Sequence, residues 1–185
     1  MVENDKRGLV FKDYMDESII KYRELTKECD LVSNRLHNIH NKHIACKRGC
    51  CGCCVNLSLF PVEFYSILDG ISRKSMDLTF DKTADCGFLD AEGSCTIYKY
   101  RPIICRTHGL PIAYLNDAGK LDVSFCELNF AKIRKDYVFD KFNTLNIDKI
   151  NDKFFAINIE FITRNKELGF SMTSRIPIQR LLDFF

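Results

Sequence analysis

No stretch of this sequence approaches the roughly 18 consecutive apolar residues that a membrane span needs, because charged residues interrupt every hydrophobic run. Charge of one sign is missing too. Twenty-seven Lys plus Arg stand against 25 Asp plus Glu, a formal net charge of +2, and no long basic block marks a nucleic-acid partner. The opening stretch MVENDKRGLVFKDYMDESIIKYRELT mixes charges with short apolar pairs and lacks the continuous apolar run of a signal peptide. It predicts a soluble chain that stays in the cytoplasm. Internal repeats and low-complexity segments are absent, and so are a Ser-His-Asp set, a paired-carboxylate motif and a glycine-rich phosphate loop. These absences leave open whether the chain is an enzyme.

What the chain does have is cysteine, ten in 185 residues, with five of them in the nine-residue stretch CKRGCCGCC at 46–54. Reducing thiol pools keep ordinary cytosolic cysteines reduced, and adjacent cysteines make poor bridges, so a disulfide framework does not explain this crowding. Metal binding does. Thiolates are soft ligands that select zinc, copper(I) and iron-sulfur clusters, and four of them around one centre give a tetrahedral sulfur site.

The length fits one domain with its own core. Between residues 14 and 45 the positions Tyr22, Leu25, Cys29, Val32, Leu36, Ile39 and His43 recur in steps of three and four, which predicts one long amphipathic helix running into Cys46. Gly49 and Gly52 then allow the backbone to fold tightly. VNLSLFPVEFYSIL reads as a short extended piece followed by a helix starting at Pro61. Residues 70–84 read as a polar connection, and the turn-rich stretch DCGFLDAEGSCTIYKYRPIICRTHGL sets Cys86, Cys95 and Cys105 on loops.

LPIAYLNDAGKLDVSFC alternates around Asn116–Gly119, a hairpin pattern whose second strand ends at Cys126. ELNFAKIRKDYVF and NDKFFAINIEFITRNKEL carry helical spacing with Gly169 as a stop, and IPIQRLLDFF adds one short helix. The fold class is therefore mainly α with a small β-hairpin. It divides into an N-terminal helix (1–45), a cysteine-rich metal core (46–126) and C-terminal helices (127–185).

Cys46, Cys50, Cys53 and Cys54 provide four thiols, with C-x2-C spacing between Cys50 and Cys53; Cys86, Cys95, Cys105 and Cys126 strengthen the signal. Four cysteinates around zinc leave a charge of about −2, and Arg101 and Arg106, which bracket Cys105, are candidates to hydrogen-bond sulfur and offset it. Two surface arginines would look the same. Cys51 is a bystander or a reserve ligand, and Cys29, on the apolar stripe, is a core residue. His37, His40 and His43 drift around an ideal helix by about 60° per step and read as solvated or boundary residues, with His43 in reserve. His108 is open between ligand, proton carrier and structural residue.

The order Cys46-x3-Cys50-x2-Cys53-Cys54 followed by CGFLDAEGSCTIYKYRPIICR resembles the cysteine-cluster family of zinc- or iron-chelating proteins called CxxCxxCC or YkgJ-like. The resemblance covers 46–106 and reaches Cys126. It implies Cys46, Cys50, Cys53, Cys54, Cys86, Cys95, Cys105 and Cys126 as the ligand set, with Cys29 and Cys51 outside it. The family is similar to flagellin lysine N-methylases, which imply an iron-sulfur cluster. Cys46-x3-Cys50-x2-Cys53 also has the spacing of radical S-adenosylmethionine enzymes, although Cys54 stands ready to fill the open iron position and the chain is short for their barrel.

The expectation is a protein holding a 4Fe-4S cluster with an electron-transfer or oxidoreductase-type role. A zinc-binding structural or interaction module with a protein partner is the alternative, and an S-adenosylmethionine-dependent methylase-like enzyme a further one. The spacing leaves open whether the thiols form one centre or two.

Overall fold

The computed structural model describes residues 16–73, 80–81 and 83–185. Helix α1 (Glu17–Ile39) opens on Asp16, whose carboxylate accepts a hydrogen bond from the Ser18 backbone N–H at 2.7 Å. Its stripe Tyr22, Leu25, Cys29 and Leu36 is buried as the spacing predicts, Cys29 and Leu36 completely. Residues 14 and 15 of the anticipated helix lie outside the described residues.

The helix stops well before Cys46. At His40 the chain turns, with the His43 N–H bonded to the His40 carbonyl, and 44–47 are not helical. The cause is tertiary: His40 is fully buried, its Nε2 lies 2.7 Å from the Asn143 carbonyl, and Phe130, Tyr137 and Phe139 surround its ring. Its reading as a boundary residue is corrected accordingly. Ile39, read on the stripe, is 47% exposed because the helix ends there.

Helix α2 (Pro61–Ser72) begins at its proline, as read from the sequence. Phe60 offers no side-chain cap, and the Asn158 side-chain oxygen accepts from the Val62 N–H instead. Nearly every face of α2 is covered, because it lies between two apolar clusters. Val62 joins the first, built from α1, from α4 (Ile147–Arg164) and from Ile103, Leu110 and Leu145. Phe64, Ile67, Leu68 and Ile71 join the second, with Leu59, Phe88, Ile97, Ile178 and Leu181. Each such side chain contributes about 1.5–3 kcal/mol of burial. Gly70 is where α2 meets Tyr100: a Cβ there would fall 2.4 Å from the ring.

Polar groups buried with α2 are paired. Glu63 accepts from the Tyr22 hydroxyl at 2.6 Å and from the Ile103 N–H at 2.9 Å, tying α1 to α3 (Ile103–Thr107). Burial raises the Glu63 carboxyl above its usual range, and burial followed by the Glu63 charge raises Tyr22 well above its own. Asp69 pairs with Arg23 and with Arg73.

The β part is small. Strand β1 (Ser58–Leu59) pairs antiparallel with β5 (Ile176–Pro177), Leu59 opposite Ile176. The anticipated hairpin is β2 (Ile112–Leu115) and β3 (Leu121–Ser124), with Asn116 accepting from the N–H groups of Ala118 and Lys120 in the turn. Strand β4 (Leu145–Asn146) adds in parallel to the other edge of β2. The second hairpin strand ends at Ser124, two residues short of Cys126.

Residues 127–139, read as helical, form turns and loop instead, because Phe130 turns inward to His40. Helix α4 follows, Gly169 takes a left-handed conformation after the short helix Lys166–Leu168, and Ile178–Phe184 closes the chain as a 3-10 helix. The architecture is mainly α with a small β part. No helix among the described residues is long and apolar enough to cross a membrane.

Candidate metal centre

The cysteines after Cys29 sit in segments with little regular structure. Residues 44–57 contain turns and no helix or strand, and 83–97 are turns with one isolated bridge between Leu89 and Cys95. Cys105 departs from the loop expectation: it lies on α3, one turn of helix fixed by the Arg106 side chain. Gly49 takes φ +85° beside the Glu92 carbonyl, while Gly52 has open space around it and no positive φ.

Two asparagines hold these segments together. Asn129 accepts at its side-chain oxygen from the N–H groups of Ala45 and Cys46, both at 3.0 Å, and donates its amide to the Gly109 carbonyl at 2.7 Å. Its own N–H is bonded to the Cys126 carbonyl. Cys46 and Cys126 thereby meet over Gly109, where a Cβ would stand 3.4 Å from the Cys46 sulfur and 3.8 Å from the Cys126 Cβ. Gly109 has φ +85°, so both backbone and space call for glycine. Asn56 does the corresponding work elsewhere. Its N–H donates to the Asp85 carbonyl at 2.6 Å and its side-chain oxygen accepts from the Gly87 N–H at 3.2 Å, flanking Cys86 on both sides.

The electrostatics is that of crowded thiols. Burial pushes Cys54 and Cys105 up to about 12, and it raises Cys46, Cys53 and Cys95 as well. Cys105 shows this although its outer side is solvent exposed. Neighbouring sulfurs add to the effect: Cys50 and Cys126 act on Cys46 and Cys53, Cys53 followed by Cys86 and Cys95 on Cys54, and Cys95, Cys54 and Cys86 on Cys105. Thiols in this condition are neutral at pH 7, and a bound cation would displace their protons.

The arginines have other partners. Arg106 donates to Asp30 at 2.5 Å and to the carbonyls of Arg101 and Lys99, both at 3.0 Å. Arg101 stacks on Tyr98 and donates to the Tyr98 carbonyl, and its charge offsets part of the rise that burial gives Cys95. These contacts form a brace between α1 and the Cys105 segment. Of the reserve ligands, His43 stacks on Phe130, and Cys51 is exposed beside Gly93, 3.6 Å from where a Cβ would lie. Sequence reasoning missed Asn129 and Asn56, which no spacing rule would single out.

A cavity of about 590 Å³ adjoins the cluster, with Cys53, Cys126, His108, Glu63, Phe154 and Arg175 among its walls. Burial lowers His108, so its ring is neutral at pH 7. The donor chemistry fits a thiophilic metal or cluster, and Gly109 leaves room for Cys46 and Cys126 to lie side by side. As the side chains stand, no group of three or more His, Cys, Asp or Glu among the described residues is gathered closely enough to hold an ion. Holding one requires the thiols to turn inward on backbone that the asparagines already fix.

No curated protein matches this chain, and no solved structure does. A family model does match, over residues 45–127, just under half of the chain. That stretch starts one residue before Cys46 and ends one after Cys126, so it takes in every cysteine except Cys29. Residues 45–127 match the CxxCxxCC family, described as a putative zinc- or iron-chelating domain.

Proposed function

We propose that Cys46, Cys50, Cys53, Cys54, Cys86, Cys95, Cys105 and Cys126 bind metal as thiolates, and that the metal is held as iron-sulfur, 4Fe-4S in type, for an electron-transfer or oxidoreductase-type role. The observation that carries the reading is the convergence of cysteines from separate segments, Cys46 and Cys126 above all, on backbone tied by Asn129. Such a group supplies one-electron chemistry when bound. The chain's own part is to present soft donors and to border two of them, Cys53 and Cys126, with a cavity.

One observation favours a second reading, zinc as a structural clamp. Residues 44–57 carry no regular element, and loops of that kind gain most from a metal that crosslinks them. The clamped surface would then meet a protein partner. The methylase-like reading keeps one supporting feature, the cavity against Cys53 and Cys126, which has room for a small organic molecule. The division of the chain at 45 and 126, and its cytoplasmic location, are part of the same proposal.

The test is purification without oxygen followed by measurement of iron, zinc and acid-labile sulfide per chain, with the visible spectrum. Stoichiometric iron and sulfide in a brown protein is the expected result. Zinc alone in a colourless folded protein replaces the electron-transfer reading with the structural one. A folded chain with neither metal sinks both.

A further inference from the structure

We propose that the eight thiols form two interleaved sets of four, Cys46, Cys50, Cys53 and Cys126 in the first and Cys54, Cys86, Cys95 and Cys105 in the second, each set taking its own metal ion or cluster. The inference rests on the metal-binding reading and adds the partition to it. It starts from the backbone ties. Asn129 joins the Cys46 and Cys126 segments over Gly109, while Asn56, two residues past Cys54, is bonded to both flanks of Cys86. The two ties share no residue.

Further geometry follows the same division. Cys50 turns back on its own loop through its N–H to the Lys47 carbonyl at 2.9 Å, which keeps it with Cys46. Cys86 and Cys95 are brought together by the Leu89 N–H to the Cys86 carbonyl and by the Leu89–Cys95 bridge, and both pack on the second apolar cluster. Cys105 follows on the helical turn after the Tyr98–Tyr100 segment, whose first N–H is bonded to the Cys95 carbonyl. Cys53 is a central residue of the turn that Cys54 ends, closed by the Cys54 N–H to the Cys51 carbonyl at 2.8 Å, and Cys53 lines the cavity with Cys126 whereas Cys54 does not.

The cavity distinguishes the sets. Cys53 and Cys126 of the first set line it, and no member of the second does. Closed four-sulfur sites are structural, whereas a centre beside an open space is the one a small molecule reaches. The fourth thiol near the Cys46-x3-Cys50-x2-Cys53 run is thus Cys126, not the adjacent Cys54.

The decisive experiment loads the full chain with cadmium-113 alone and reads cadmium per chain together with its NMR spectrum. Two ions and two four-sulfur resonances are expected, one for each set. Cys126→Ser should lose or shift one resonance and leave the other, and Cys95→Ser should do the reverse. Asn129→Ala and Asn56→Ala retain every cysteine and should broaden one resonance each, which covers the case of a serine variant that fails to fold. A single cadmium per chain, or Cys126 and Cys95 variants that perturb the same resonance, overturns the partition while leaving metal binding intact. A folded chain that takes up no cadmium overturns the partition and the parent reading together.

Discussion

The half of the molecule built on α1 and α4 and the half that carries the cysteines are held by different means. In the first, Tyr22, Leu25, Leu36, Phe154 and Phe161 interlock along two helices of 23 and 18 residues, with Glu28–Lys153 and Lys21–Glu160 ion pairs on the rim. In the second, the segments around Cys46–Cys54 and Cys86–Cys95 have turns and two asparagine ties. The difference teaches where bound metal would matter most: the helical half rests on one apolar cluster and the 83–97 segment on the other, whereas 45–56 adds no residue to either.

Metal removal breaks this comparison most strongly. A chelator should accelerate amide exchange in 44–58 and 83–110 by about 100-fold, the equivalent of about 2.7 kcal/mol for a ligand held at 100 times its dissociation constant, while the centres of α1 and α4 keep their protection. Equal loss in both halves would show that they unfold as one unit. Metal beside the cavity should leave first, which timed chelation followed by cadmium NMR can follow. Reloading should acidify a weakly buffered solution, by roughly one proton for each thiol that coordinates.

Glu63 joins the halves, so Glu63→Ala should cost about 2–5 kcal/mol in urea unfolding, because it leaves the Tyr22 hydroxyl and the Ile103 N–H buried without their acceptor. Arg106→Met acts at the same junction and should cost about 1.5–3 kcal/mol by releasing Asp30 and two carbonyls. If metal content fell in Arg106→Met before stability did, the brace would belong to the cysteine half alone. Cys51→Ser should change stability by less than about 0.5 kcal/mol and leave metal content untouched, since its thiol is exposed.

Local chemistry was legible in the sequence where it was decisive locally. Pro61 starts α2, Asn116–Gly119 makes the hairpin turn, Gly169 ends a helical run and Cys29 is core. The end of α1 was not legible, because His40 is claimed by Asn143, Phe130, Tyr137 and Phe139 from some 90–103 residues downstream. The same distant packing turns the helical-looking stretch after Cys126 into loops. The short extended piece before Pro61 holds β1, but strands of two residues carry no pattern, which hid β4 and β5. For the site, the cysteine positions and the CxxCxxCC resemblance could be read directly, and the family match agrees with them. The arginine roles could not, since their partners Asp30 and the Lys99 carbonyl are set by where α1 passes α3.

The reach of Asn129 back to Ala45 and Cys46 has a consequence for the order of events on the ribosome. The loop holding Cys46 leaves the exit tunnel more than 80 residues before the side chain that ties it down is made. Asn56 waits for far less chain, since Asp85 and Gly87 follow it by about 30 residues. A nascent chain therefore has its crowded thiols tied down in two instalments, the Asn56 tie first and the Asn129 tie last, and the Cys46 end of the loop stays open to stray oxidants until synthesis has passed residue 129.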